Sequence, residues 1–261
     1  MRTDRPRRAA AILLIGSIGG IALAFVVARG SLGGADALAY WTSTRVWLAG
    51  GDPFHPPGIG WAYVYAPWML PLFLPWALLP WPAAQLLWRG AMFLCFLWSC
   101  DWAYRRRPLA TALALLVLGA PIGLILESGN VTVFLALALW AAQVAPARAG
   151  GALWAWATAT KWFPAAFWFI LPSATRRRGL AWIGLAILLT LATWPQALTQ
   201  VGAALVWGVP RTDLSWWIRL DHLAVLWGGI PWLWRHPLTL PRPRQAPDRH
   251  ERLRAPAGLA R

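Results

Sequence analysis

The sequence predicts an all-α fold, a polytopic bundle of transmembrane helices, and three observations carry that prediction. Of 261 residues, 59% are hydrophobic and 13% are charged, about half the charge of an ordinary soluble domain. Several apolar stretches approach or exceed the roughly 18 residues that a helix needs to cross a bilayer. A water-soluble fold would also have to bury 22 tryptophans with too little polar surface to cover them.

The formal net charge is +15. The arginines come as short clusters between apolar segments and at both termini, which is the pattern of cytoplasmic helix ends and not of a nucleic-acid footprint. Cys95 and Cys100 lie within one apolar stretch and read as core residues, so neither a disulfide framework nor a metal site is expected. The start, MRTDRPRR followed by an apolar run, continues into further apolar spans and is read as an uncleaved first helix.

The basic clusters set the order of crossings. They are residues 1–8, RRR at 105–107, Arg148, RRR at 176–178 and the tail 241–261. With all of them cytoplasmic, helix 9–28 goes out and the Gly-, Pro-, Asp- and His-bearing loop 29–64 lies outside. Residues 65–80, YAPWMLPLFLPWALLP, hold four prolines and are expected to form a re-entrant or membrane-lying helix on the outer side. Helix 82–104 then returns, 108–126 goes out to ESGN (127–130), and 131–145 comes back. Segment 149–175 is long for one crossing and short for two. It is expected to be a pair of short helices broken at Lys161-Trp162-Phe163-Pro164, which keeps 176–178 inside. Helix 180–196 exits and a last helix near 222–236 returns. The expectation is thus about eight membrane segments plus the membrane-lying helix within 1–240, with both termini cytoplasmic. Residues 241–261 form a disordered basic tail.

The acidic residues test this scheme, because they were not used to build it. Asp4, Asp248 and Glu251 lie in the basic tails and Asp101 at a cytoplasmic helix end. Asp36, Asp52, Glu127, Asp213 and Asp221 all fall on the outer side. Lys161, the only lysine in the chain, opens toward that same side. An ionisable residue amid Ala, Trp and Phe is costly unless it faces water, a partner or a ligand. The residues therefore suggest an outward polar pocket rimmed by carboxylates.

The breaks between helices have an order that resembles glycosyltransferase family 87. ADALAYWTSTRVWLAGGDPFHP (35–56) offers Asp36, Tyr40 and Gly51-Asp52-Pro53-Phe54, similar to the start of that family's first outer loop. Tyr63-Val64-Tyr65-Ala66-Pro67 resembles the aromatic-Tyr-x-Pro that opens its membrane-lying helix. ESGNVTVFLALAL (127–139) resembles its Gly-Gln-x-Asn helix start, with Glu127-Ser128 in place of Gly-Gln. AGGALWAWATATKWFP (149–164) resembles its Gly-rich helix ending in Lys-x-x-Pro. The resemblance spans roughly residues 10–220.

It implies a GT-C-like fold in the cell membrane and transfer of a hexose, mannose foremost, from a polyprenyl-phosphate donor to a glycan or glycolipid acceptor outside. No cofactor or metal beyond the donor is implied. Such chemistry needs a base for the acceptor hydroxyl and a cation for the departing phosphate. Asp36 is expected as the base, Lys161 as the phosphate partner with Arg45 as a second candidate, and Tyr40, Asp52, Tyr65, Glu127 and Asn130 as pocket residues. The chain is shorter than usual members, so a non-catalytic or degenerate membrane subunit of cell-envelope glycan assembly is the alternative. A transporter would show inverted repeats, and none is found.

Overall fold

The computed structural model describes residues 4–29, 34–58, 63, 65–196, 199, 200, 202 and 223–235. Among them every regular element is helical: α1 (Asp4–Arg29), α2 (Ala35–Leu48), α3 (Met69–Ala77), α4 (Trp81–Arg106), α5 (Pro108–Ser128), α6 (Thr132–Ala142), α7 (Ala147–Thr160), α8 (Ser173–Thr193) and α9 (Ile230–Arg235). Two 3-10 segments, Phe163–Phe169 and Ala224–Gly229, complete the set. The predicted tail 241–261, Asp213 and Asp221 lie outside the described residues.

Proline and glycine punctuate the bundle. Pro82 and Pro108 sit in the first turns of α4 and α5, where a missing N–H is harmless. Gly129, at φ 73°, ends α5 in the left-handed conformation. α7 stops at Lys161, whose backbone is extended, because in a continuous helix the ring of Pro164 would collide with the Thr160 carbonyl.

Contacts along the helices show how they run. α4 descends from Trp88, which meets Phe134 near the start of α6, to Trp102, which meets Trp140 near its end. α5 climbs back from Pro108 to Gly129, whose carbonyl accepts from Trp88 Nε1 at 2.7 Å. α6 descends and α7 climbs beside it, with no room for a side chain where Gly150 crosses the Ala142 carbonyl. α8 runs the same way as α7: Gly150 faces Thr175, and Gly151 presses on the backbone of Gly179. The 3-10 segment must therefore double back between them. It does so against Trp154, whose indole N–H donates to the Pro164 carbonyl at 3.1 Å and whose ring lies 5.6 Å from that of Trp168.

These directions collect the arginine clusters at one end. Arg105, Arg106 and Arg107 close α4, Arg148 opens α7, and Arg176, Arg177 and Arg178 lie in the first turns of α8. Arg235 reaches the Gln143 carbonyl at the foot of α6. Asp36, Asp52 and Glu127 belong to the opposite end. Phe54, beside Asp52, packs on Trp194 at the far end of α8.

The structure corrects the element list in three places. Among the described residues two helices, α4 and α5, are long and apolar enough to cross a membrane, against the eight or so crossings expected. The expected break at Lys161 is present, but the limb after it is a seven-residue 3-10 segment and not a second α-helix. Arg176–Arg178 lie inside α8, which begins at Ser173, and not in a loop ahead of it. Segment 65–80 holds only the nine-residue α3, about 14 Å long at 1.5 Å per residue, which is too short to cross a bilayer.

Apolar side chains stand exposed along the flanks: Leu13 and Ile21 on α1, Leu86 and Leu94 on α4, Val117 on α5 and Leu188 on α8. A surface of this kind in water drives association, whereas lipid covers it. With α4 and α5 it associates the chain with a membrane. Single cysteines placed in a cysteine-free background at 52–55 and at 177–178 are expected to label from opposite sides of sealed vesicles. Labelling from one side would remove the two-ended arrangement.

Candidate functional site

Three helix ends converge at the acidic end of the bundle. The first is the start of α2. Gly34, at φ 86°, donates its backbone N–H to the Glu127 carbonyl at 2.8 Å. That bond ties the entry of α2 to the end of α5, and Asp36 follows in the first turn. The second is the elbow between α5 and α6, which carries Asn130. The third is the end of α7, which carries Lys161.

One amide joins all three. Asn130 Nδ2 donates to Asp36 Oδ2 at 2.9 Å, across 94 residues of sequence. Asn130 Oδ1 accepts from Lys161 Nζ at 2.9 Å. The same oxygen accepts from the Thr132 backbone N–H at 3.0 Å and the Thr132 hydroxyl at 2.7 Å, a tight local turn at the start of α6. Lys161 Nζ also donates to Thr132 Oγ1 at 3.1 Å. The donors fix the amide's orientation, since exchanging its N and O would set like against like at both partners. Asn130 is only 1% exposed, whereas Asp36 and Lys161 are half-buried.

Tyrosines wall the polar chain. The Lys161 ammonium lies 5.4 Å from the Tyr65 ring centre and 5.6 Å from that of Phe163, within cation–π range. Tyr65 OH and Tyr40 OH are hydrogen-bonded at 2.8 Å, and the Val131 N–H donates to Tyr40 OH at 3.4 Å. Burial pushes the Tyr40 phenol well above its ordinary range, aided by the neighbouring Tyr65 and Asp36. Tyr40 therefore acts as a neutral hydroxyl and not as a base. Beyond it the rings of Trp41, Phe73, Trp76, Trp81 and Trp88 line an apolar hollow that shares Tyr40 with the polar site.

The predicted residues divide accordingly. Asp36, Tyr40, Tyr65, Asn130 and Lys161 are brought together. Asp52 is engaged in its own turn: Oδ1 accepts from the Phe54 N–H at 2.9 Å and Oδ2 lies 2.8 Å from His55 Nδ1. Arg45 lies nine residues after Asp36, which is half a rotation around α2. It is held there by the Trp41 ring and the Ala77 carbonyl, apart from Lys161. The Glu127 side chain is buried, and its backbone carbonyl is the shared anchor for Gly34 and, at 3.0 Å, for Arg89 NH2. Asn130-Val131-Thr132 has the form of a glycosylation sequon, but its amide is buried and bonded to Asp36 and Lys161, away from any surface acceptor position.

Sequence reasoning missed Thr132, Trp88 and Arg89. Thr132 had a signal as the third residue of the sequon-like triplet. Arg89 also had one, as an ionisable residue inside an apolar span. Nothing local marks Trp88 among the many tryptophans.

No protein-family model matches this chain, and neither a curated protein nor a solved structure matches it.

Proposed function

We propose that the chain is a multi-pass glycosyltransferase of the cell membrane. It moves a hexose, mannose first, from a polyprenyl-phosphate donor to a hydroxyl of a glycan or glycolipid. The reaction occurs at the end of the bundle away from the arginine clusters, on the extracytoplasmic side, with both termini cytoplasmic. The observation that carries this reading is the convergence of Asp36, Asn130 and Lys161. A carboxylate and an ammonium stand on either side of one rigid amide, close to an aromatic wall. That arrangement supplies the two charges that transfer from a lipid phosphate requires, a proton acceptor and a cation.

In the proposed step Asp36 takes the proton of the acceptor hydroxyl, and the freed oxygen bonds to the sugar's anomeric carbon. The bond from that carbon to the phosphate oxygen breaks, and its electron pair leaves with the phosphate. Lys161 stabilises the phosphate charge. Asn130 bonds to both groups and holds them in fixed register.

Reconstituted protein and a labelled polyprenyl-phosphate sugar test the reading, with transfer expected in the presence of acceptor membranes. Lys161→Met removes the charge but keeps apolar length. It is expected to weaken donor binding about tenfold to a hundredfold, each tenfold being about 1.4 kcal/mol. Lys161→Arg should recover part of that loss, since guanidinium and ammonium differ in shape and hydration. Donor affinity unchanged in the Met variant would overturn the phosphate assignment.

The second reading, a non-catalytic membrane subunit, draws on the same hydrogen bonds. Asp36, Asn130 and Lys161 bond to one another as a structural latch would. Under that reading Lys161→Met lowers thermal stability, and the wild type transfers no sugar.

A further inference from the structure

Asn130 fixes the distance of the Lys161 ammonium, but one hydrogen bond does not fix its direction. Lys161 ends α7 on an extended backbone, and its flexible four-carbon stem carries Nζ far from that anchor. Held by a single oxygen, the ammonium would sweep an arc around Asn130 Oδ1. A second oxygen removes that freedom. Lys161 Nζ donates to Thr132 Oγ1 at 3.1 Å as well as to Asn130 Oδ1 at 2.9 Å, and the two oxygens stand 2.7 Å apart. The three atoms close a triangle, so the first turn of α6 sets the place of a charge that α7 carries.

A hydroxyl has the chemistry this corner needs. Its proton goes to Asn130 Oδ1, the shorter contact, which leaves its lone pairs to accept from the ammonium. The shared proton turns two oxygens that would otherwise repel into a joint acceptor. The Thr132 N–H also donates to Asn130 Oδ1 at 3.0 Å, so a backbone bond holds the amide oxygen as well. Thr132 is 0% exposed. Bulk water therefore cannot stand in for its hydroxyl. Valine has the shape of threonine but would set a methyl against the charged nitrogen, which it cannot pair. Serine keeps the oxygen and gives up only the methyl.

We infer that Thr132 is a positioning residue whose hydroxyl, and not its methyl, holds the Lys161 ammonium in place. The inference deepens the donor-phosphate reading and takes its functional meaning from it. The cradle's geometry does not depend on what the ammonium binds, so one arm of the test stands apart from sugar transfer.

Lys161 is the only lysine in the chain, so an amine reagent reads that one side chain once its peptide is isolated. Full-length protein in nonionic detergent is treated with a water-soluble acetylating reagent at fixed pH, and the rate at Lys161 is followed by mass spectrometry. Thr132→Val is expected to raise the rate about tenfold, the effect of losing one hydrogen bond to a charged group. Thr132→Ser should stay near the wild-type rate. In the second arm, equilibrium binding of a polyprenyl-phosphate sugar is measured. Thr132→Val should weaken it about tenfold, and Thr132→Ser little. In a Lys161→Met background Thr132→Val should cause no further loss, because it acts through the ammonium.

A residue that only packs would give the reverse order, with serine worse than valine, and that order would overturn the assignment. So would equal binding losses from Thr132→Val with and without Lys161, or equal labelling rates in wild type and Thr132→Val. A wild type that binds no donor, while Thr132→Val still labels faster, would remove the donor-phosphate reading and support the hydroxyl as the anchor of the ammonium.

Discussion

Asp36→Asn is expected to leave donor binding intact and to lower sugar transfer about 100- to 10,000-fold, the range for loss of a general base. The substitution is a clean one in this structure. An asparagine at 36 retains a carbonyl oxygen that can accept the Asn130 Nδ2–H, so the link between α2 and the α5–α6 elbow survives. What is lost is the ability to take a proton. Asp36 sits in the first turn of α2, and the Gly34 bond to Glu127 holds the backbone two residues earlier. The readout is single-turnover transfer beside equilibrium donor binding. Transfer at the wild-type rate would make Asp36 a structural residue and shift attention to Glu127 and Asp52. A variant that no longer binds donor would mean that Asp36 organises the pocket.

Gly129→Ala should be among the most damaging small changes, costing about 2–4 kcal/mol of stability, from left-handed strain and overpacking together. Gly129 has φ 73°, which L-residues with a side chain adopt at a penalty. A Cβ there would stand 2.6 Å from the Cβ of Ala37 and 3.5 Å from the Trp88 ring. The Ala37 methyl cannot swing away, because it has no rotatable side-chain bond. α2 must therefore shift, and Asp36, one residue before Ala37, moves with it. A lowered unfolding midpoint together with reduced transfer is expected. Ala37→Gly in the same chain should relieve the contact but not the strain, recovering part of the loss. If Gly129→Ala alone unfolds at the wild-type temperature, the elbow is looser than its contacts imply.

The sequence was informative where a residue broke a strong local pattern. A lone lysine in an apolar run, a carboxylate just after the first helix and an asparagine after a glycine were each conspicuous, and all three meet. Their pairing was not legible, because Asp36 and Asn130 contact each other across 94 residues and no periodicity encodes that. Arg45 illustrates the limit. Its charge suited a phosphate, but its angular position on α2 decided its surroundings. The end of α7 was readable from Pro164, whereas the 3-10 character of the limb beyond it depends on packing against Trp154. The number of crossings was the weakest inference, because apolar length alone does not separate a span from a shorter buried segment such as α6.

Asn130 receives its partners from opposite directions along the chain, 94 residues before it and 31 after. During synthesis Asp36 and Asn130 are both available before Lys161 has left the ribosome. At roughly 5–20 residues per second, the 31 residues from Asn130 to Lys161 take on the order of a few seconds. For that time a carboxylate and an amide at the rim of the nascent bundle lack their cation. Closure of the trio therefore marks the moment at which α7 docks beside α6. A ribosome stalled shortly after Lys161 would hold the last intermediate in which the two halves are still separate.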